Sequence, residues 1–476
     1  MEKKNEEKER NDLSGTGGGI QVTDREREII ERVSGEYYDY ARTYAPERPY
    51  LHEYHKTLTM KMYMASQWGD GSYVLITFEQ ALEKIRQVDS ITRGIPKIVY
   101  LVGWQYNGHD AKYPAWHEVN EDLKRPEDAT ALDSYLWLCD QALQYNTTVS
   151  VHINMTDAYE DSPLWDAYVE HGLIARNLDG SFLQIGGFGE QEKNMYQICY
   201  TKEWESGYAV RRIDYIIDML RLDRAKTVHL DAFFARTNDY CGITMEQEMQ
   251  AMRKLYRYWR DRGIDVTSEQ HARLRQDPFI GLQPMSWWFD LDRKTQTRVH
   301  QNLACGGMEW PETEYNNETG FLFGQCMQGE DIFSTENYIQ EFQKRFCTTT
   351  LQMYYHNLRS FEAYDEEKKT VTYSGGLVTD ASDWSVREKG KLLRSGNDVF
   401  IPAAWRENQE ILAFSENGYT GRTWDLPEEW KEVKSVDIYT VTGEGLMIKQ
   451  RNLAVEDGKV RMSLEAMEEV SIQPAA

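Results

Sequence analysis

The feature that most constrains the fold is a regular alternation of short apolar runs and amphipathic segments between about residues 57 and 356. Short apolar runs predict strands, and apolar residues at helical spacing predict the helices between them. The predicted strands are Leu58–Met64, Lys97–Trp104, Thr148–Asn154, Val228–Phe233, Ile264–Ser268, Gln283–Trp287 and, with weaker patterns, Ala304–Met308 and Leu351–His356. The predicted helices lie at about 77–92, 130–146, 206–222, 244–262, 292–303 and 335–348. This α/β alternation over eight strands predicts a parallel sheet closed into a (β/α)8 TIM barrel.

Two local patterns support this prediction. A doubly wound open sheet would show the same alternation, but no glycine-rich phosphate loop follows the first predicted strand. Capping boxes mark two helix starts, one at Thr23 with Glu26 and one at Thr244 with Gln247.

The pattern changes after about residue 371, where short strands alternate with turns rich in Gly, Asn, Asp and Pro. The predicted strands there are Val399–Pro402, Ile411–Phe414, Val436–Thr440, Val460–Leu464 and Val470–Ile472. We therefore expect a catalytic barrel at 23–365 and a C-terminal antiparallel β-sandwich domain at 371–476. Residues 1–22, which are charged and end in a Gly-rich stretch, are expected to form a flexible tail.

The charge balance limits the partners of the chain. Its 54 Lys and Arg residues against 78 Asp and Glu give a formal charge of −24, which disfavours nucleic acids and anionic membranes. Aromatic residues make up 12% of the chain, which favours a carbohydrate because a flat ring covers the apolar face of a pyranose. The first residues include no apolar stretch that could act as a secretory signal, so we expect a cytoplasmic chain, or a secreted one if a leader was removed. The oligomeric state is left open.

Two carboxylates follow neighbouring predicted strands. Asp231 ends the fourth strand and Glu269 ends the fifth, and in a barrel these ends form the active-site rim. Retaining glycoside hydrolysis needs two carboxyls about 5 Å apart, one as nucleophile and one as acid and base. The alternative is that both are ordinary rim acids. In such a pair the acid should hold its proton near neutral pH, because the anionic nucleophile lies beside it.

Other rim residues have side chains suited to a sugar. Imidazole, carboxylate and amide groups bind hydroxyls, and indole rings pack on pyranose faces. His152 and Asn154 share one face of their strand, where they alternatively only hydrogen-bond their neighbours. A metal at His109, Asp110 and His117 is conceivable, but no second cluster completes a ligand set, so neither metal nor cofactor is expected. The predicted substrate-binding residues are Trp104, Gln105, His109, Asp110, His152, Asn154 and Trp287.

Several of these motifs resemble a known family. Val-Gly-Trp-Gln-x-x-Gly-His-Asp at 102–110 and Val-Ser-Val-His-Ile-Asn at 149–154 are followed in order by Asp231 and Glu269. Together they resemble the catalytic barrel of endo-α-N-acetylgalactosaminidases, glycoside hydrolase family 101, over about residues 58–360. The resemblance implies a retaining hydrolase of α-linked N-acetylgalactosamine (GalNAc), as found in mucin-type O-glycans.

The same resemblance assigns roles to individual residues. It implies that Asp231 is the nucleophile, that Glu269 is the acid and base, and that His109, Asp110 and Asn154 hold the sugar. The chain is much shorter than typical family members and has Asp157 where a Glu is expected. Its length and the absence of a secretion signal favour the related exo-acting α-N-acetylgalactosaminidases of glycoside hydrolase family 129.

Three other functions stay open at this stage. An exo-α-glycosidase of different sugar specificity would use the same carboxylates, and an inactive sugar-binding barrel would use the aromatic residues alone. An amylase-like enzyme is a more distant alternative, since its nucleophile normally has an Arg two residues earlier, where this chain has His229.

Overall fold

A computed structural model of the chain describes residues 22–187, 193–269, 277–287, 299–306, 318–323 and 337–475. The strands of its first part are β1 (Leu58–Tyr63), β2 (Ala65–Trp68), β3 (Gly71–Val74), β4 (Lys97–Val102), β5 (Thr147–Asn154), β6 (Asp157–Ala158), β7 (Gln184–Gly186), β8 (Met195–Gln197), β9 (Thr227–Asp231), β10 (Asp265–Ser268), β11 (Met285–Ser286) and β12 (Cys305–Gly306).

The α-helices are α1 (Asp24–Arg32), α2 (Tyr40–Thr43), α3 (Phe78–Ile91), α4 (Ala131–Ala142), α5 (Trp165–Glu170), α6 (Tyr200–Glu205), α7 (Tyr208–Leu220), α8 (Leu222–Ala225), α9 (Met245–Asp261), α10 (Glu318–Phe323), α11 (Tyr338–Arg345) and α12 (Leu351–Asn357). The predicted capping boxes at Thr23 and Thr244 are both confirmed. Within the described residues, none of these helices combines the length and the apolar character that crossing a bilayer requires.

Seven strands of this part form a parallel sheet in the order β1-β4-β5-β9-β10-β11-β12. The sheet is curled, which confirms the predicted TIM-like barrel. Buried strands with helices on their outer face are typical of parallel sheets, because every crossover returns over the sheet. Two small antiparallel sheets, β2-β3 and β6-β8-β7, were not predicted from the sequence.

The eighth predicted strand, Leu351–His356, is wrong. This segment is helix α12, which continues from α11 through a π-helical turn at Phe346–Thr350. All seven residues of α12 are buried, and a short apolar run that is buried on every side has the same pattern in a strand and in a helix. The predicted helix at 335–348 is thus the first half of a longer helical segment.

The end of the barrel differs from prediction in two further places. Residues 299–303, the described part of the predicted helix at 292–303, are not helical. The predicted strand Ala304–Met308 is reduced to the two residues of β12, and residues 307 and 308 lie outside the described residues.

The C-terminal part is the predicted β-sandwich. Its strands are β13 (Phe361–Asp365), β14 (Thr370–Tyr373), β15 (Leu377–Asp380), β16 (Ser385–Glu388), β17 (Lys391–Ser395), β18 (Asp398–Pro402), β19 (Ile411–Ser415), β20 (Tyr419–Asp425), β21 (Ser435–Thr442), β22 (Gly445–Glu456), β23 (Lys459–Leu464) and β24 (Glu468–Pro474). They form an antiparallel sheet of 12 strands in the order β13-β14-β15-β16-β17-β18-β19-β24-β21-β22-β23-β20. The five strands predicted for this part are all confirmed.

The sandwich is joined to the barrel by hydrogen bonds around the end of α3. The Ser90 hydroxyl donates to the Thr442 carbonyl at 2.7 Å, and the Trp405 indole N–H donates to the Arg93 carbonyl at 3.1 Å. Arg93 also pairs with the buried Glu410 at 2.7 Å. These contacts place the sandwich beside the barrel helices.

A close backbone approach positions the loop after β4. Gly103 has φ +75°, and a Cβ atom at this position would lie 2.0 Å from the carbonyl oxygen of Ala65. The same carbonyl accepts the N–H of His109 at 2.8 Å. Ala65, the first residue of β2, therefore holds the 103–110 loop against the end of the sheet.

We expect Gly103→Ala to lower the free energy of unfolding by about 3 kcal/mol or more, since the added methyl group meets backbone in a left-handed conformation. Gly172→Ala is the matched control, because Gly172 has φ +66° with open space around it and should lose only about 1–2 kcal/mol. Urea unfolding measures both. Equal losses would show that the approach to Ala65 is not a constraint.

Candidate active site

The strand ends bring the two predicted carboxylates to one rim. Asp231 is the last residue of β9, and Glu269 directly follows β10, where its N–H donates to the Leu230 carbonyl at 3.2 Å. Asn154 of β5 pairs in register with Asp231. Parallel strands end at the same side of the sheet, so these three side chains meet as the sequence predicted.

His152 lies between the two carboxylates. Its Nε2 atom is 3.8 Å from Asp231 Oδ1 and 3.7 Å from Glu269 Oε1, and the ring stacks on His229 with centroids 5.3 Å apart. His229 Nε2 in turn lies 3.9 Å from Glu269 Oε1. Burial lowers the pKa of His152 to about 3 and that of His229 to about 4. Both imidazoles are therefore neutral at physiological pH.

Lys61 of β1 is a site residue that the sequence analysis missed. Its ammonium group contacts the Glu269 carboxylate and lies 4.4 Å from the centre of the Trp287 ring. The Lys61 side chain is 1% exposed. The available signal was a lysine inside an otherwise apolar strand, since a buried lysine almost always has a charged partner.

The electrostatics of the pair are the reverse of the sequence-based prediction. Burial alone would raise the pKa of Glu269, but the Lys61 charge and the hydrogen bonds from the imidazoles and Asp231 hold it well below the usual range. Burial and the neighbouring Glu269 raise the pKa of Asp231 well above its usual range. The sequence-based prediction that Glu269 holds the proton in the free site did not include Lys61, whose charge opposes a proton on Glu269.

Asn154 is fixed by a tight turn. Its Oδ1 atom accepts the N–H groups of Thr156 and Asp157 at 2.7 and 2.8 Å, and its amide donates to Asp157 Oδ2 at 2.7 Å. The same amide donates to Asp231 Oδ2 at 3.4 Å. Burial, with the negative charge of Asp110, raises the pKa of Asp157 to about 8. Asn154 thus offers a rigid N–H donor to Asp231.

His109 and Asp110 lie on the 103–110 loop beside the pair. His109 Nε2 is 3.6 Å from Asp110 Oδ1, and its ring packs edge-on against Tyr63 at 5.4 Å and His152 at 5.5 Å. The Asp110 side chain is 41% exposed, so its carboxylate is accessible to a ligand.

Three predicted binding residues lie deeper than these. The Trp104 indole donates to the His152 carbonyl at 3.0 Å, and the Gln105 amide donates to the Gly108 carbonyl at 3.1 Å. Both side chains are fully buried, and Trp287 is 3% exposed beneath Lys61. Their predicted contact with a sugar stays a prediction, and the structure places them as supports of the rim.

Among the described residues, two groups of side chains have ligand atoms within 4.8 Å of one another and could hold a metal ion: His109, His152 and Asp231, and His152, His229 and Glu269. The Lys61 ammonium already neutralises Glu269 in the second group. The arrangement is a carboxylate pair with one cation and neutral imidazoles, which suits acid–base and nucleophilic chemistry.

Comparison with known proteins finds a family match for the segment that carries this site. Residues 52–280, which include both carboxylates and Lys61, match the family model described as endo-alpha-N-acetylgalactosaminidase, glycoside hydrolase family 101. The fold is similar to three structures of the alpha-N-acetylgalactosaminidase NagBb from Bifidobacterium bifidum: a quadruple mutant (TM-score 0.51), a GalNAc complex (0.50) and the ligand-free protein (0.51). Each alignment has 11% identity and covers 77% of this chain and 59% of NagBb.

The likeness to NagBb at this identity concerns the fold, and this chain spans about three fifths of NagBb's length. The family-model match covers the segment that contains the motifs at 102–110 and 149–154. The resemblance of the barrel to the endo-α-N-acetylgalactosaminidases of glycoside hydrolase family 101 is therefore confirmed.

Proposed function

We propose that the chain is a retaining glycoside hydrolase that cleaves α-linked GalNAc, with Asp231 as nucleophile and Glu269 as acid and base. The observation that carries the proposal is the pair itself: two carboxyls on adjacent strand ends, with side chains 13% and 6% exposed, both within 3.8 Å of the same His152 nitrogen. The family match over 52–280 and the GalNAc complex of NagBb support GalNAc as the sugar.

In the first step, an Asp231 oxygen attacks the anomeric carbon. The bond from that carbon to the leaving oxygen breaks, and the Glu269 proton moves to the leaving oxygen. In the second step, ionised Glu269 takes a proton from water, the water oxygen attacks the anomeric carbon, and the bond to Asp231 breaks. Two inversions give an α-configured product.

The first step needs the single proton of the pair on Glu269. Burial and the neighbouring Glu269 raise the pKa of Asp231, and the Lys61 charge lowers that of Glu269, so the free site opposes this arrangement. A leaving-group oxygen beside Glu269 accepts a hydrogen bond only from the protonated carboxyl, whereas the Asn154 N–H favours ionised Asp231. A bound glycoside therefore stabilises the reactive arrangement, with the proton on Glu269.

The first test is hydrolysis of p-nitrophenyl α-GalNAc and p-nitrophenyl Galβ1-3GalNAcα in parallel, with the first-formed anomer read by NMR. Release from the monosaccharide indicates an exo-acting enzyme, and release from the disaccharide alone indicates an endo-acting one. The α-anomer is expected first. A β-anomer as the first product would refute double displacement. The absence of hydrolysis of both substrates would refute GalNAc specificity.

Asp231→Asn should lower kcat by at least about 10³-fold, because an amide cannot attack the anomeric carbon. Asp218→Asn is the matched control, since the Asp218 side chain is 77% exposed on α7 and should leave the rate unchanged. Wild-type rates in Asp231→Asn would remove it as the nucleophile.

Glu269→Gln should lower kcat by about 10²–10⁴-fold on substrates with poor leaving groups. With an activated aryl leaving group the first step needs no acid, so the glycosyl-enzyme should still form and accumulate. Intact-mass spectrometry detects it. If the variant slows activated and unactivated substrates equally, Glu269 is not the acid.

Asp110→Ala should raise KM, lower kcat or both, by about tenfold, because contacts to sugar hydroxyls can strengthen in the transition state. Asp179→Asn, in an exposed turn where Asp179 binds only Ser181 among the described contacts, serves as the control for removal of a surface charge. If both KM and kcat are unchanged in Asp110→Ala, Asp110 does not contact the sugar.

A further inference from the structure

We propose that Lys61 is the counter-ion of the carboxylate pair in both half-reactions, so that it acts as a positioning residue for the single proton that the pair holds. The inference rests on the proposed function, since it assumes that Asp231 and Glu269 react in turn.

Lys61 reaches the pair across the barrel interior. It lies on β1, whereas its partner Glu269 follows β10, and β4, β5 and β9 separate the two in the sheet. Its ammonium group contacts the Glu269 carboxylate and the Trp287 ring. With 1% and 6% exposure, neither side chain of the ion pair has solvent to balance its charge.

The groups that face Lys61 from the neighbouring strands supply little other charge. His152 on β5 and His229 on β9 are neutral, because burial lowers their pKa values to about 3 and about 4. Tyr100, its register partner on β4, is also neutral, since burial raises its pKa above the usual range. Among the described residues, Asp231 on β9 and Glu269 after β10 are acids that act on this centre, and Asp110 acts on Asp231 from the loop.

The net charge of the carboxyl pair is the same in both half-reactions, and this defines the role of Lys61. Before attack the pair holds one proton and so one negative charge, which the positive charge of Lys61 cancels. After attack Asp231 is a neutral ester and Glu269 is ionised, and Lys61 again cancels one negative charge. A buried charge without a partner raises the free energy of the state that contains it. Because Lys61 balances the charge in both states, neither state is destabilised in this way.

A consequence follows for the pH profile. A nearby cation favours the ionised form of a carboxyl, and its removal makes each ionisation of the pair less favourable. Both apparent pKa values of the pair should therefore rise, and both limbs of the kcat/KM bell should move to higher pH. A side chain that served only for packing would lower the activity without moving the bell.

The test compares Lys61→Met, which keeps an unbranched side chain but removes the charge, with Lys61→Arg, which keeps the charge. We expect Lys61→Met to shift both limbs upward by at least about one pH unit, and Lys61→Arg to restore the wild-type profile within about half a unit. An unmoved bell in an active, folded Lys61→Met variant would overturn the proposal.

A second readout needs no turnover. Infrared difference spectra of wild type against Asp231→Asn report the protonated carboxyl of the pair, and its loss on titration gives the ionisation directly. In Lys61→Met the carboxyl band should persist to higher pH. If the wild type hydrolyses no α-glycoside, the proposed function is refuted. If the carboxyl band of Lys61→Met titrates at the same pH as that of the wild type, the role of Lys61 is refuted.

The double variant Lys61→Met with Glu269→Gln removes both charges of the ion pair. It is the control for the case in which Lys61→Met alone does not fold. If Lys61→Met alone fails to fold and the double variant folds, charge pairing is the requirement, as proposed. If both fail, the lysine stem is needed for packing, and the counter-ion role is overturned.

Discussion

Two neighbouring carboxyl groups that share one proton still carry one negative charge, and in a barrel interior that charge needs a buried positive charge beside it. The geometry of this site follows from that constraint. Lys61 supplies the charge, and the Trp287 ring beneath its ammonium group replaces part of the hydration that the group has lost. The barrel is the element that makes this possible. A curled sheet turns the side chains of β1 toward those that follow β10, although three strands lie between them.

The charged groups behind the rim are also paired. Arg212 and Glu203 form a buried ion pair, and the Arg212 guanidinium lies 3.9 Å from the Trp116 ring centre. Arg212 also donates to the Asn154 carbonyl at 3.5 Å, which ties this network to the backbone of the site. Buried networks of this kind are stable only when most members are paired, and paired members hold a fixed geometry. The rigidity of Asn154 beside Asp231 is a consequence.

The sequence predicted what depends on local pattern. Capping residues such as Thr244 fixed helix starts, and an acid directly after an apolar strand located Asp231 and Glu269 at the rim. The failures share one physical cause, since they depend on contacts between distant segments. Leu351–His356 is helical because its surroundings bury every side of it. The prediction for the proton of the pair left out a main determinant, Lys61, which is 208 residues from Glu269 in the chain.

The residue two positions before Asp231, the proposed nucleophile, helps to explain why the positive charge of the site is on Lys61 of a distant strand. Amylase-like barrels normally place an Arg there, next to the nucleophile. Here the position is His229, which shares a strand face with Asp231 but is buried and neutral. A neutral imidazole satisfies hydrogen bonds, as His229 does with Thr267 at 2.8 Å, yet it cannot balance a carboxylate. The positive charge that β9 lacks is supplied by Lys61 of β1, which contacts Glu269 rather than Asp231. Lys61 therefore opposes a proton on Glu269 in the free site, and in the proposed mechanism the bound glycoside has to favour the proton there for the first step.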